Sequence, residues 1–521
     1  MFRWRHLYIA MGATLGLIGA VVGASFVYPH AHGVTFVNED VALDRPLAIP
    51  PLLEPKLVNG EKVFSLTAQR GRTELMPGAS SDTAGFNGTY LGPTIRARTG
   101  DRIRIDVQNE TGEATTVHWH GMHVPAAMDG GPHQPIPPGK TWSPHWTIDN
   151  RAATLWYHPH TLGKTAQQVY SGLAGVFLID DENTDSLGLP NTYGVDDVPL
   201  VVQDRSFDAD GHLTYVRNRS QHNFGAMGDN ILVNGTRGPY LDVANQLIRL
   251  RILNASNARR YNFGFSDERP FWQIATDGGL LEAPVQRSRM LLAPGERAEI
   301  VVDMRQTDQP VTLMSYAFRG AAPMYHLMRA LSVGANDEYQ SFKIVQLRPH
   351  RGAAPRGELP AHLNTSALLR RQDAVRTRVF RMTDRMSING KPMDHARIDE
   401  VVRRDDIEIW ELDNREALFY HPFHVHNAQF QLLDRDGKPP TEYERGWKDT
   451  VVVNPLETVR VIIRFADYAD PHLPYMYHCH ILEHEDMGMM GQFVVVANTS
   501  DETRIISPLV GRNGSDHGHG H

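Results

Sequence analysis

The sequence predicts an all-β protein built from three tandem β-sandwich domains. A pattern recurs every roughly 150 residues, at Asn87-Gly88, Asn234-Gly235 and Asn389-Gly390. Each turn pair is followed by a proline and then by a strand in which apolar and polar residues alternate; these strands cover 102–107, 247–252 and 407–412. Turn-bounded strands with a period of two are typical of antiparallel sandwiches.

The N-terminal segment predicts export from the cytoplasm. Arg3 and Arg5 precede an uncharged stretch from Leu7 to Tyr28, long enough for a secretory signal or for an apolar span of about 20 residues. We expect residues 1–35 to be a signal peptide or a membrane anchor. Either alternative places the body of the protein in the periplasm, outside the cell or on the outer face of the membrane.

The three repeats set the expected domain boundaries. We assign the first domain to 36–182, the second to 195–350 and the third to 375–500. Acidic residues, Gly and Pro cluster between Asp180 and Pro199, and Arg, Pro and Gly between Arg348 and Arg378, as expected for linkers. The tail 501–521 ends in alternating histidines and is either a metal-scavenging segment or a low-complexity end.

Composition excludes some classes of partner. The chain has 52 Lys and Arg against 60 Asp and Glu, a formal net charge of −8, and its basic residues are dispersed, so we expect no nucleic-acid partner. We expect a monomer. One cysteine among 521 residues also excludes an intramolecular disulfide.

That cysteine lies at the centre of the clearest motif, His478-Cys479-His480. On a strand the two histidines face one way and the Cys479 sulfur the other, so one segment can serve two metal sites. A thiolate, two imidazoles and a weak axial thioether are the ligands of a blue-copper centre. Cys479 and His484 can supply two of these four ligands, and Met489 is the candidate thioether.

Three further histidine clusters accompany it: His118 with His120, His158 with His160, and His421 with His424 and His426. A single His-x-His pair is weak evidence, but four clusters together indicate several metal ions. The second domain has no such pair. We therefore expect the paired histidines to meet at the contact between the first and third domains, with the second domain acting as a spacer.

The clusters, their order and their flanking motifs resemble the three-domain multicopper oxidases, which include laccases, bilirubin oxidases, spore-coat oxidases and bacterial cuprous oxidases. The motifs are Leu91-Gly92-Pro93-Thr94, His118-Trp119-His120-Gly121, Asp129-Gly130-Gly131-Pro132, Trp156 to His160, Gly446 to Thr450 and His484-Glu485-Asp486. The resemblance implies cupredoxin-like Greek-key domains and four copper ions. It also implies one-electron oxidation of a small reductant coupled to four-electron reduction of O2 to water.

The resemblance also implies a role for each ligand. It makes His118 and His424 ligands of a type 2 copper, and Cys479, His421, His484 and Met489 ligands of a type 1 copper, with Met487 and Met490 as rival axial ligands. The type 3 pair would be held by His120, His158, His160, His426, His478 and His480. Electrons would then pass through the Cys479 sulfur to His478 and His480.

Two acids correspond to proton relays of the family. Asp129 follows the first cluster in a Gly-rich turn, and Glu485 adjoins a ligand. The alternative role for each is an ordinary ion pair or a hydrogen bond that orients a ligating histidine.

The reductant is less clearly indicated. Cuprous oxidases of the family carry a Met- and His-rich insertion and an acid at the position of Ala417, whereas this chain has only Met324 and Met328 in the corresponding region. Phe419, Tyr420 and Phe423 around His421 suit an aromatic donor, and packing in the core of a sandwich explains these aromatic residues equally well. We expect a laccase-like oxidase of phenols or similar small reductants. The alternatives are a cuprous or other metal-ion oxidase in copper tolerance and, less favoured, a copper-free scaffold of the same fold.

Overall fold

The computed structural model describes residues 37–216, 219–317, 340–352, 357–365 and 368–498. The expected signal or anchor, Met324, Met328 and the histidine tail lie outside these ranges. Six β-sheets form three sandwiches along the described chain, which confirms the all-β prediction.

The strands are short and follow one another closely. The first group is β1 (Arg45–Pro46), β2 (Leu52–Leu53), β3 (Lys56–Val58), β4 (Glu61–Met76), β5 (Ala79–Phe86), β6 (Thr94–Arg98), β7 (Arg102–Glu110), β8 (His118–His120), β9 (Thr141–Trp142), β10 (His145–Thr147), β11 (Ala153–His158) and β12 (Gly175–Asp180). The second is β13 (Asp197–Phe207), β14 (Leu213–Thr214), β15 (Asn230–Val233), β16 (Thr236–Arg237), β17 (Pro239–Ala244), β18 (Leu247–Asn254), β19 (Tyr261–Phe265), β20 (Phe271–Thr276), β21 (Gly279–Arg287), β22 (Met290–Leu292), β23 (Arg297–Asp303), β24 (Val311–Ser315) and β25 (Phe342–His350). The third is β26 (Arg376–Thr383), β27 (Ser387–Ile388), β28 (Glu400–Arg403), β29 (Ile407–Asp413), β30 (His421–Val425), β31 (Phe430–Arg435), β32 (Thr450–Val453), β33 (Thr458–Arg464), β34 (Asp470–Cys479) and β35 (Met490–Val496).

Each sandwich is a pair of sheets. The first pairs the sheet β10-β7-β4-β3, extended by β5 and β9, with β2-β6-β12-β11-β8. The second pairs β1-β17-β25-β24-β19-β22 with β16-β15-β13-β18-β23-β20-β21, to which β14 adds, and the third pairs β27-β26-β29-β33-β31 with β28-β35-β34-β30-β32.

The predicted alternation explains the first core. In β7, Ile103, Ile105 and Val107 are buried while the intervening polar residues point outward. The corresponding strand β18 of the second sandwich is buried along its whole length. Its Arg249 and Arg251 are covered because this face of the sheet packs against the first sandwich, where Thr154 contacts Arg251.

The first described strand joins the second sandwich. We expected this segment to begin the first domain, but β1 pairs in parallel with β17. Val37 and Leu47, on either side of β1, fill the core of the second sandwich. Burial of these apolar side chains therefore places the segment at the edge of a sheet of the second sandwich, although it precedes the first sandwich in the chain.

The helices are brief. In the part of the chain that the structure describes they are α1 (Thr165–Tyr170), α2 (Glu182–Ser186), α3 (Arg219–Phe224) and α4 (Leu482–Asp486), and 3-10 turns cover Ala126–Met128, Arg371–Asp373 and Glu442–Glu444. Helix α4 of the third sandwich packs against α1 of the first and α3 of the second, so all three units meet beside the histidine clusters. None of the helices in the described ranges has the length and apolar character needed to cross a membrane.

Candidate metal centre

The strand register brings the histidine clusters together in pairs. On the first sandwich His118 lies opposite His158 across β8 and β11. On the third, His424 lies opposite His478 across β30 and β34. Directly opposed residues face the same side of a sheet, so each sandwich presents a patch of imidazoles to the other.

Cys479 faces away from these patches and forms a separate group with two histidines, called here the Cys479 group. Its Sγ lies 3.4 Å from His421 Nδ1 and 3.7 Å from His484 Nδ1, and all three residues are fully buried. His484 Nε2 donates to the backbone carbonyl of Asn223 on α3, which leaves the lone pair of Nδ1 directed toward the sulfur. One thiolate and two imidazoles therefore converge on one point, as a blue-copper centre requires.

Met489 lies in the same buried core as Cys479. Its amide donates to the His484 carbonyl, and its own carbonyl accepts from the Cys479 amide, so the backbone ties all three residues together. Of the rival methionines, Met487 is half-buried at the end of α4 and Met490 opposes His478 on β35.

The other eight histidines form one buried cluster between the first and third sandwiches. Their ligand atoms fall into three groups, each within 4.8 Å: His118 with His120 and His424; His120 with His158 and His480; and His160 with His426 and His478. All eight are fully buried. Each group combines histidines from both sandwiches.

The nitrogen geometry of this cluster fits bound metal ions. His478 Nε2 lies 3.1 Å from His160 Nε2 and 3.3 Å from His426 Nε2. The Nδ1 atom of His426 donates to Asp129 and that of His478 to the Cys479 carbonyl, so lone pairs are left facing each other at the Nε2 atoms. Buried lone pairs at this separation repel unless a cation lies among them.

His118 and His424 show the same arrangement. Their Nδ1 atoms donate to the carbonyls of Asp129 and Asp449, at 3.0 and 2.8 Å. Their Nε2 atoms are buried and find no hydrogen-bond partner among the residues that the structure describes. Fixing one ring nitrogen so that the other is free to coordinate is the usual arrangement around metal-bound histidine.

Burial also keeps the ligands in the right protonation state. Burial, followed by the repulsion of neighbouring imidazoles, holds the pKa of His158, His160 and His426 well below the usual value of 6.5. Neutral imidazole is the form that binds copper.

The two candidate relay acids both lie inside this cluster. Asp129 accepts from His426 Nδ1 at 2.8 Å, and the Glu485 carboxylate lies 3.3 Å from His160 Nδ1 and 3.2 Å from His478 Nδ1. Burial, followed by repulsion from Asp486, raises the pKa of Glu485 well above its usual value. Gly130 makes the Asp129 turn possible, since its φ is +76° and a Cβ there would lie 1.7 Å from the Val117 carbonyl oxygen.

Two residues that the sequence did not single out also belong to this site. Asp449 accepts from His120 Nε2 at 3.0 Å, and Arg297 of the second sandwich forms two hydrogen bonds to the Asp449 carboxylate. Although burial raises it, the Arg297 guanidinium holds the pKa of Asp449 well below its usual range. The motif around Asp449 was a signal that could have found it, whereas nothing in the pattern around Arg297 distinguishes it from other strand arginines.

Asp384 lies at the outer edge of the Cys479 group. Its Oδ1 is 3.8 Å from His421 Nε2, and its side chain is 32% exposed. Burial raises its pKa, but the His421 imidazole and the amides of Leu418 and Phe419 outweigh burial and hold the pKa below the usual value. Phe419 stacks on Phe224 of α3 beside it, with ring centroids 4.6 Å apart.

The three β-sandwiches enclose a buried group of one cysteine and two histidines and, beside it, eight converging imidazoles. This combination defines a multi-site copper protein of cupredoxin-like fold.

Comparison with known proteins supports this assignment to a class of copper proteins. Residues 67–184 and 363–499 match family profiles described as multicopper oxidase. The chain is 37% identical over 456 residues to the multicopper oxidase mco of Staphylococcus aureus, a match that covers 86% of this chain and 92% of that protein. The chain belongs to the multicopper oxidase family and is an oxidoreductase that uses O2 as acceptor.

Two further relatives show the range of the family. The laccase-like multi-copper oxidase CueO from the lignin-degrading bacterium Ochrobactrum sp. has a solved structure with a TM-score of 0.78 and 35% identity, covering 87% of this chain and all of that one. The cell division protein FtsP of Escherichia coli is 37% identical over 453 residues, covering 87% of this chain and 93% of that protein.

The burial of Cys479 predicts a thiol that is unreactive in the folded copper-free protein. Cys479 is 0% exposed and burial raises its pKa, and only the thiolate attacks alkylating reagents. We expect the native copper-free protein to react at least about tenfold more slowly than an unfolded sample. Timed alkylation with mass detection checks this, with one modified thiol per unfolded chain as the control. Equal rates for the two samples would show that the Cys479 group is open to solvent.

Proposed function

We propose that the protein is a four-copper, laccase-like oxidase that takes single electrons from small reductants at the Cys479 group and reduces O2 to water at the eight-histidine cluster. The observation that carries this proposal is one shared segment: Cys479, the last residue of β34, belongs to one group, while its neighbours His478 and His480 belong to the other. The two sites are therefore joined covalently, because Cys479 is linked by one peptide bond to His478 and by another to His480.

The three-dimensional groups support the ligand sets that the family resemblance implies. His421, Cys479, His484 and Met489 would hold a type 1 copper, and His118 and His424 a type 2 copper. The two triads His120-His158-His480 and His160-His426-His478 would hold a type 3 pair. Bound copper would supply reversible one-electron redox chemistry and open positions for O2.

The acids supply protons beside the cluster. Oxygen reduction consumes four protons for each O2. The protonated Glu485 carboxyl can hold a proton between His160 and His478, where its two oxygens lie. Asp129 Oδ2 accepts from His426, and its Oδ1 is buried with no hydrogen-bond partner among the described residues, so it can accept a further proton.

Replacing Cys479 by Ser tests the main proposal. We expect Cys479→Ser to lose the blue thiolate-to-copper absorption and to reduce O2 uptake to the uncatalysed rate, while copper at the eight-histidine cluster is retained. Absorbance, copper analysis and an oxygen electrode measure these properties. Asp106→Asn, on the surface of β7 and 31% exposed, is the control and should remain blue.

A colourless copper-loaded wild-type protein would instead favour the scaffold alternative. The relevant observation is the 37% identity to a cell division protein. Against it stands the presence of all twelve candidate ligands, brought together in two buried groups except for the thioether of Met489, which shares their core.

Replacing Asp129 by Asn tests the relay. The amide keeps the shape of the side chain but cannot pass on a proton, so we expect Asp129→Asn to slow turnover about 10- to 100-fold with the blue absorption intact. Steady-state O2 uptake across pH and copper content are measured together. Asp106→Asn, on the surface of β7 and 31% exposed, is the control. Unchanged turnover excludes the relay, and loss of copper shows that the Asp129 carboxylate acts by orienting His426.

The surroundings of His421 favour a phenolic reductant. The ionised Asp384 carboxylate can accept a hydrogen bond from a phenol, and the half-buried Phe224, which stacks on the buried Phe419, offers an aromatic face at the same edge. The same carboxylate can also attract a metal cation, so oxidation of Cu(I) or another metal ion in copper tolerance is the second candidate.

A direct comparison of reductants decides between these candidates. We expect kcat/KM for a substituted phenol to exceed that for Cu(I) by at least about tenfold, a difference of about 1.4 kcal/mol in transition-state binding. Oxygen uptake with each reductant under the same buffer and ionic strength measures the ratio. A ratio in favour of Cu(I) would assign the protein to metal-ion oxidation.

The location of the protein belongs to the same proposal. An N-terminal signal or anchor over residues 1–35 would place a monomeric enzyme outside the cytoplasm, where it can meet its reductants without drawing electrons from the cytoplasmic pool.

A further inference from the structure

A short segment of the third sandwich, residues 448–450, orients histidines from two sandwiches. The backbone carbonyl of Asp449 accepts from His424 Nδ1, and its carboxylate Oδ1 accepts from His120 Nε2. The hydroxyl of Thr450 lies 3.1 Å from His120 Nε2 and 3.2 Å from His424 Nδ1. With Nε2 occupied, His120 turns Nδ1 toward His158 Nε2, 3.3 Å away.

The second sandwich holds this segment through Arg297. All five N–H groups of the buried guanidinium are used, and they reach all three sandwiches. Nε donates to the Thr154 carbonyl of the first sandwich, two N–H groups donate to the Gly295 and Asp277 carbonyls of the second, and two donate to the Asp449 carboxylate of the third.

Asp277 of the second sandwich contacts both Arg297 and the segment 448–450. One of its carboxylate oxygens accepts from the Arg297 amide at 2.7 Å, and the other lies 2.8 Å from the Lys448 ammonium. Lys448 also pairs with Glu296, so residues 277, 296 and 297 of the second sandwich surround residues 448 and 449 of the third.

The backbone around the contact between Arg297 and Asp449 is closely packed, with no space for an added side-chain atom at two glycines. A Cβ on Gly121, directly after His120, would lie 2.6 Å from both Arg297 and Asp449. A Cβ on Gly295 would lie 2.8 Å from the His480 ring. The second sandwich therefore touches the cluster at two points, although none of its described residues is a histidine of the cluster.

We propose that Arg297 is a positioning residue, through which the ligand-free second sandwich sets the orientation of His120 and His424. The inference rests on the proposed four-copper function. The planar fork of arginine can bind a carboxylate with two N–H groups and still reach three carbonyls, whereas a lysine ammonium has three donors on a flexible stem. Arg297→Lys therefore keeps the charge but cannot fix the carboxylate plane.

The experiment compares Arg297→Lys with a matched variant, Arg251→Lys. Arg251 is an equally buried arginine of the same sandwich that pairs with Asp197 and Glu299 and has no contact with a histidine ligand among the described residues. Both proteins are loaded with copper and dialysed against a chelator, and the paramagnetic resonance of the type 2 copper is recorded beside the blue absorption.

We expect Arg297→Lys to lose copper from the eight-histidine cluster about 10- to 100-fold more readily and to alter the type 2 resonance, with the blue absorption unchanged. Arg251→Lys should match the wild type in both properties. If Arg297→Lys does not yield soluble protein, Arg297→Gln takes its place with the same expectation, because its single amide group cannot bind both oxygens of the Asp449 carboxylate.

A wild-type resonance and wild-type copper retention in Arg297→Lys would overturn the inference, as would an equal loss in Arg251→Lys, which would show a general packing effect. Failure of the four-copper function itself is recognised separately, because the wild-type protein would then hold no type 2 or type 3 copper.

Discussion

The structure depends on the burial of imidazole lone pairs that point at one another. A buried polar atom without a partner costs about 1–3 kcal/mol. Among the residues that the structure describes, the cluster holds several such atoms, including the Nε2 atoms of His118, His424 and His480. The carbonyls and carboxylates that hold the opposite ring nitrogens of His118 and His424 prevent these rings from turning to relieve this cost. The fold therefore maintains an arrangement that only bound cations make favourable, which is the physical meaning of a preformed metal site.

Local pattern was sufficient to predict the architecture and to find the histidine clusters. Alternation in β7, the His-x-His spacing and the sole cysteine are properties of short segments, and short segments decide which side chains share a face. Tertiary contacts explain what local pattern missed. The pairing of β1 with β17 and the covered polar face of β18 depend on which sandwich lies nearby, and Arg297 resembles any other strand arginine until Asp449 is placed beside it.

The surroundings of the Cys479 group separate two tasks. Helix α3 contacts both sides of the group: its Asn223 carbonyl fixes His484, and its Phe224 stacks on Phe419 near His421. Asp384 lies on the His421 side, 3.8 Å from the Nε2 atom of that ring. Substitution of Asp384 therefore changes both the contact with a reductant and the surroundings of His421, whereas the bond that fixes His484 is made elsewhere.

Each histidine triad draws members from two sandwiches: His120 and His158 from the first meet His480 from the third, and His160 from the first meets His426 and His478. Neither sandwich can complete a triad alone, so copper held by these triads would also stabilise the docking of the two sandwiches. A ligand that binds only the docked form stabilises docking by an amount that grows with its concentration relative to its dissociation constant. The second sandwich also affects this coupling between copper binding and the docking of the first and third sandwiches. By clamping Asp449 it restricts the docked state to one geometry before metal arrives, and so reduces the ordering cost that copper binding must overcome.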